Sequence, residues 1–320
     1  MLLSFVICAQ GKENKLFKTI NSLKRQTIDD YELIIVNDDP SIEKESIEFL
    51  KDQFRENEKI TVAFNNKGQG SATNWNTGLQ LASGEYVSFI KEGDILEPNF
   101  IEEIKKITQG KKPKIDILEY RLNFTGLFES TTTTALQMDK VYELPKSTEV
   151  FAHFNQMIYG KIFRLKYLKD FRINFRRSVR FDTLFLYKAL GQARTFYFSS
   201  KVLCNHRSTV LKYSAFDLVN QWPHILNYYR RIGAYKELKD ELNYAYYYQM
   251  TYDFLNLVKE FGNKQLYKKA LKYADTKMEN KIKSFMKTNS VFLEDRNPEF
   301  TKRIKEFEGF VSSELRKIGK

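Results

Sequence analysis

Four residues, Lys91-Glu92-Gly93-Asp94, cut off an apolar run, and their types could do chemistry on an anionic ligand. Ahead of them, Tyr86, Val87, Phe89 and Ile90 form a stretch too short for a helix and rich in strand formers. Behind them, Glu97 and Pro98 open an amphipathic helix carrying Phe100, Ile101, Ile104 and Ile107. A buried strand that delivers charged side chains at its carboxyl end is where open α/β sheets bind ligands. A solvated turn has the same local sequence, so the surrounding elements must decide. Three other loops carry comparable residues: Gln10-Gly11-Lys12, Asp38-Asp39 and Lys67-Gly68-Gln69-Gly70. The last is glycine-bearing, but it lacks both the phosphate-loop lysine-serine ending and the dinucleotide G-x-G-x-x-G spacing.

The elements that must position these residues alternate along 1–125. Strands are predicted at 2–8, 31–36, 60–64, 86–90 and 115–120. Helices fall between them, with Leu16, Ile20 and Leu23 on one face, then Ile47, Leu50 and Phe54, then residues 75–82. Such alternation predicts an α/β fold whose mostly parallel sheet has helices on both faces and gathers the four loops on one edge. Residues 122–150 suggest an irregular or hairpin insertion over that edge, and 193–204 a late strand. From about 214 the strand signals stop, and helices are predicted over 216–232, 236–261, 264–286 and 298–318. The expected domains are 1–213, with a nucleotide-binding half at 1–125 and an acceptor half at 126–213, and a helical domain at 214–320. Tyr244, Tyr247, Tyr248, Tyr252 and Phe254 could form a carbohydrate platform, but helical spacing favours core packing.

Composition excludes several classes. No run approaches the roughly 18–20 apolar residues of a membrane span, and the apolar start lacks a basic leader and runs into a strand–helix pattern, which predicts no signal peptide. Two cysteines, Cys8 and Cys204, suit a reducing cytosol and exclude a cysteine-built metal site; three scattered histidines argue against a histidine cluster. The +12 net charge is concentrated: residues 151–213 hold 13 basic and 2 acidic side chains, while 1–150 hold 19 and 24. Such a block favours an anionic partner. Nucleic acid is the weaker choice because no nucleic-acid motif accompanies the charge. Lys268, Lys269, Lys272, Lys283 and Lys287 could meet an anionic membrane, although a solvated helix face is the commoner reason for such a row.

Taken in order, the pieces resemble the inverting GT-A glycosyltransferases of family 2, especially bacterial enzymes that decorate teichoic acids or build capsular polysaccharide. They are S-F-V-I with E-x-x-L (4–7, 13–16), S-L-x-x-Q-T (22–27), Y-E-L-I-I-V-N-D (31–38) and N-T-G-L-x-x-A-x-G-E-Y (76–86), then Asp94 and Pro98. G-K-I-F-R (160–164) and R-I-N-F…F-D-x-L-F (172–185) resemble that family's acceptor half. The resemblance implies a GT-A fold followed by a helical region. It implies transfer from a nucleotide sugar, a UDP-sugar, to an anionic or lipid-linked cell-envelope glycan, in the cytoplasm or at the inner membrane face. Asp38 would contact the base or ribose. Ala9, Gln10, Gly68, Asn76, Lys91, Glu92 and Asp94 would line the donor, and Arg180, His206 and Arg207 would meet acceptor or phosphate. Asp182 would be the general base, on the face opposite the leaving diphosphate. It is one of two acids in the basic segment, whose cations should keep it ionised; without the resemblance, pairing with Arg180 or Arg177 is the better account of it.

The chain departs from the family pattern at named places. The family's D-x-D-D becomes Lys91-Glu92-Gly93-Asp94, leaving Asp94 as the one metal ligand for Mg²⁺ or Mn²⁺ and making metal dependence doubtful. Its Arg-Asn becomes Trp75-Asn76, its P-x-Y-N becomes Cys8-Ala9-Gln10-Gly11, and the Glu before its catalytic Asp becomes Phe181. The alternative reading is therefore a catalytically impaired GT-A module that binds or scaffolds, beside a polymer synthase for instance.

Overall fold

The structure is a computed structural model that describes residues 1–9, 13–38, 48, 51–52, 55, 57–110, 113–176, 182–209 and 215–319. The predicted helix around Ile47, Leu50 and Phe54 lies largely outside them, as do Gln10, Arg177, Arg180 and Phe181. The chain forms two compact units. The first comprises Met1–Thr133, Gln137–Lys146 and Gln156–Ser208.

Its sheet has strands β1 (Leu3–Ala9), β2 (Tyr31–Asn37), β3 (Ile60–Phe64), β4 (Tyr86–Ile90), β5 (Ile95–Leu96), β6 (Ile117–Gly126), β7 (Ser130–Thr131), β8 (Lys140–Glu143), β9 (Lys161–Arg164) and β10 (Thr195–Ser208). They lie in the order β3-β2-β1-β4-β9-β6-β10-β5, with β7 beside β6 and β8 beside β10. β3, β2, β1 and β4 are parallel. β9 then runs antiparallel to both β4 and β6, and β10 returns parallel to β6. β1 and β4 are apolar nearly throughout because helices cover both faces of a parallel sheet.

Helices α1 (Glu13–Lys24), α2 (Ser71–Leu81), α3 (Phe100–Thr108), α4 (Leu165–Asp170) and α5 (Thr183–Gln192) flank this sheet in sequence. α1 inserts Leu16, Ile20 and Leu23 into the core, and α3 inserts Phe100, Ile101 and Ile104, as the apolar spacing predicts. β6 runs to Gly126, past the expected end at 120, and pairs with β7 as a hairpin; β10 runs on to Ser208. The extra residues carry His206 and Arg207 to the sheet edge.

The second unit comprises Thr134–Leu136, Ser147–Asn155 and Thr209–Lys320. Residues 147–155, expected within the first domain, belong here because Ala152 enters an apolar cluster with Tyr244, Tyr247 and Phe254, and His153 meets the Tyr244 ring edge-on at 5.1 Å. The predicted 264–286 helix breaks after Met278, where Asn280 adopts φ 61°, and resumes at Ile282. Tyr247 stacks on Phe285 at 4.1 Å, and Tyr244, Tyr248 and Tyr252 each meet Phe300 in a T-shaped arrangement. These tyrosines are core side chains, as their spacing favours. Among the described residues no helix is long and apolar enough to cross a membrane.

Candidate active site

Asp38 follows β2, and its N–H donates to the Ala9 carbonyl at the end of β1 (3.0 Å). Ala9 itself is buried. The Asp38 carboxylate turns toward the glycine loop: Oδ1 accepts from the Gln69 N–H (2.5 Å) and from Asn65 Nδ2 (3.2 Å), and Oδ2 accepts from the Gly70 N–H (3.0 Å). The acid and the exposed Gly68 loop are thus one structure, in which a carboxylate fixes backbone that sequence shows only as glycine-bearing. Asp38→Ala should therefore release the loop, each lost hydrogen bond to these exposed N–H groups costing about 0.5–1.5 kcal/mol. Amide exchange at Gln69 and Gly70 as slow as in the native chain would contradict this.

After β4 the chain turns sharply. The Asp94 N–H donates to the Lys91 carbonyl, and Asp94 Oδ2 accepts from the Lys91 N–H, both at 2.9 Å. Gly93 sits at φ +99°, a conformation that disfavours any side chain, and its N–H donates to Thr19 Oγ1 of α1 (2.9 Å). An aspartate at position 93 would strain this turn, which accounts for one departure from the family's acid pattern. Asp94 is 1% exposed, and its Oδ1 lies 2.9 Å from His206 Nδ1, an ion-pair distance without hydrogen-bond alignment. The His206 ring lies between Tyr159 (4.7 Å) and Phe124 (5.7 Å, edge-on). Glu92 is buried. Lys91 reaches across to β10, where its ammonium donates to the Arg207 carbonyl (2.9 Å). Desolvation pulls the Lys91 pKa down, and neighbouring Asp94 partly opposes it.

Asp182 immediately precedes α5 and is 5% exposed. The backbone N–H of Ile158 and its own N–H donate to the carboxylate, whereas Oδ2 is buried without a hydrogen-bond partner among the described residues. Burial pushes its pKa up to about 6 against the lowering effect of those N–H groups and of Lys161. The expectation that surrounding cations keep it ionised rests partly on Arg177 and Arg180, outside the described residues; from Lys161 the lowering is smaller than the rise from burial. Tyr159 links the two acids. Burial raises its phenol's pKa, with Asp94, Cys8 and Asp182 adding to the rise. Tyr159, His206 and Asp94 thus pack together, with Asp182 acting on the same phenol, and the Asp38 loop lies at the ends of the adjacent parallel strands.

Other expected site residues do different work. Asn76 donates from Nδ2 to the Phe175 carbonyl (2.9 Å) and accepts the Phe175 N–H at Oδ1 (2.8 Å), so its amide is committed to backbone. Trp75 packs against Phe175 (4.9 Å) and Phe89 (6.3 Å), which turns a family polar position into core. Sequence reasoning missed Tyr159, Glu119 and Lys161. The signal available was a lysine set among apolar residues in 160–164, a pattern that places it inside the sheet.

Family 2 transferases of the GT-A fold often use a divalent metal, and the described side chains fit one poorly. Among the described residues no group of three His, Cys, Asp or Glu converges on a metal-sized site. Asp94 offers one carboxylate, whose Oδ2 accepts from the Lys91 N–H and whose Oδ1 faces His206, so most of the oxygens around a Mg²⁺ or Mn²⁺ ion would have to come from donor phosphates and water.

Residues 4–172 match Glycosyl transferase family 2. The chain belongs to that family. Bacillus subtilis EpsH, which is named a glycosyltransferase, is 23% identical over 176 residues, 54% of this chain and 49% of EpsH. Staphylococcus aureus TarP, a poly(ribitol-phosphate) β-N-acetylglucosaminyltransferase, is 31% identical over 106 residues, 32% of this chain and 31% of TarP. The aligned region thus spans half or less of these relatives. The crystal structure of S. aureus TarS 1–349 in complex with UDP aligns at TM-score 0.68 and 14% identity, covering 97% of this chain and 92% of that one. The UDP-GlcNAc complex of the same fragment aligns at 0.67 and 17% identity, covering 99% and 90%. The family match and this likeness establish the GT-A fold with a C-terminal helical region.

Proposed function

We propose that the chain is an inverting glycosyltransferase that moves a sugar from a UDP-sugar to a cell-envelope glycan of the teichoic acid or capsular polysaccharide kind. The observation that carries this reading is Asp182: a buried carboxylate with one oxygen unpartnered among the described residues, acting on Tyr159, in a family 2 chain. Asp182 would take the proton of the acceptor hydroxyl as that oxygen attacks the anomeric carbon. The new carbon–oxygen bond forms as the bond to the diphosphate breaks, and the electron pair leaves with the nucleotide. A pKa near 6 leaves the base mostly ionised at neutral pH yet strong enough to hold a proton. The donor would sit over the Asp38 loop, and Lys91 and the basic end of β10 would meet its phosphates. A nucleotide-sugar donor places the reaction in the cytoplasm.

One observation favours a second reading, a binding module without turnover: Asp94, the last acid of the family motif, is already engaged within the chain. A panel of nucleotide sugars separates the two. Release of UDP on addition of acceptor supports the transferase, whereas UDP-sugar binding with no release across the panel supports the module.

The basic block at 151–213 points to a polyanionic acceptor. Affinity for a phosphate-containing polymer should fall steeply as salt rises past physiological strength, while a neutral oligosaccharide should respond little. Equal salt dependence for both would assign the charge another purpose.

A further inference from the structure

Beneath the site lies an ion pair that the reaction scheme does not use. Glu119 on β6 and Lys161 on β9 are cross-strand neighbours, and Lys161 Nζ lies 3.4 Å from Glu119 Oε2 with the two side chains 2% and 0% exposed. Burying such a pair is a weak way to gain stability, since desolvation offsets most of the attraction, so its place in the sheet calls for another reason. The lysine has a second contact that supplies one: its ammonium donates to the Met157 carbonyl at 2.8 Å. Met157 begins a short strap. The next residue, Ile158, gives its N–H to the Asp182 carboxylate, and the next, Tyr159, packs on His206. The strap is pinned at its far end too, where Gly160 at φ +77° accepts the Tyr120 N–H (2.9 Å) and a Cβ would stand 3.1 Å from the Tyr120 carbonyl.

We propose that Lys161, anchored by Glu119, is the positioning residue of Asp182: it fixes the 157–159 strap that holds the carboxylate and places a positive charge beside it. This rests on Asp182 being the base. Lys161 is the charged group acting on Asp182 from β9, and it lowers the acid's pKa against burial. Glu119 faces Lys161 from β6, and Tyr159 faces Asp182 from the strap. Arg177 and Arg180, which precede Asp182 in the chain, lie outside the described residues.

The test is Lys161→Met in the full chain, read by titrating the Asp182 carboxyl with ¹³C-aspartate NMR, the signal being assigned by its loss in Asp182→Asn. The midpoint should move up from about 6 by about one pH unit or more, and the acid limb of the transfer rate should move with it. Lys161→Arg should restore most of both. Because the single variant leaves the buried Glu119 without Lys161, the double variant Glu119→Gln with Lys161→Met guards against misfolding, and it should show the same raised midpoint. A lysine that serves stability alone would change the melting temperature and leave the midpoint in place, in the single variant or in the double, and that result overturns the proposal. If the native chain transfers no sugar but the midpoint moves, the transferase reading fails and the Lys161–Asp182 coupling stands.

Discussion

Asp182→Asn should abolish transfer and, at neutral pH, make the protein more stable. The loss follows from the role, since removing a positioned base costs about 10² to 10⁴ in rate. The gain follows from burial. The carboxyl titrates at 3.8 in its ordinary state and at about 6 in the folded chain, so the native state binds more protons than the unfolded state between those values. Stability from this group is therefore fully present below pH 3.8, falls as pH rises through about 6, and stays reduced above it. A shift of about two units corresponds to roughly 3 kcal/mol. An asparagine keeps an acceptor for the Ile158 N–H and carries no charge to desolvate, so the variant should recover part of that cost as a rise of a few degrees in melting temperature. The difference between variant and native chain should shrink as pH falls toward 4. Native-like turnover in the variant, or a stability gain that persists unchanged at low pH, would remove Asp182 from the role.

Lys91→Ala carries the second large effect. A departing nucleoside diphosphate develops charge that must be met as it forms. Asp94 is engaged with the Lys91 N–H and His206, and no third metal donor joins it among the described residues. The Lys91 ammonium sits at the same edge on a neutral acceptor, the Arg207 carbonyl. Exchanging that carbonyl for a phosphate oxygen turns a bond with one charged partner into one between opposite charges, and the diphosphate would restore the charge that desolvation disfavours in the free chain. Removing one such donor typically costs about 10² to 10³ in kcat. Transfer by the native chain should persist in EDTA, and added Mn²⁺ should not rescue Lys91→Ala. Strict Mn²⁺ dependence of the native chain, or full activity in the alanine variant, would show that the lysine does not meet the leaving group.

The sequence by itself determined the frame. Leu16, Ile20 and Leu23 recur at helical spacing, and 86–90 is an apolar run that ends in charge. Patterns of that kind are fixed by residues a few positions apart, so they can be read without knowing the fold. They place Asp38, the glycine loop and 91–94 on one edge, and their order is specific enough to resemble family 2. Only the tertiary structure decided what each group does there. Asn76 looks like a donor contact in sequence, yet its amide is spent on Phe175, 99 positions away, and Trp75, a departure from the family pattern, packs on the same ring. Lys91 finds its acceptor 116 positions away. Asp182 looks like an acid among cations, a setting that should lower its pKa, and is instead raised by burial. Desolvation depends on what β9, the 157–159 strap and α5 bring around a carboxylate from all sides, and no local pattern in the chain encodes it.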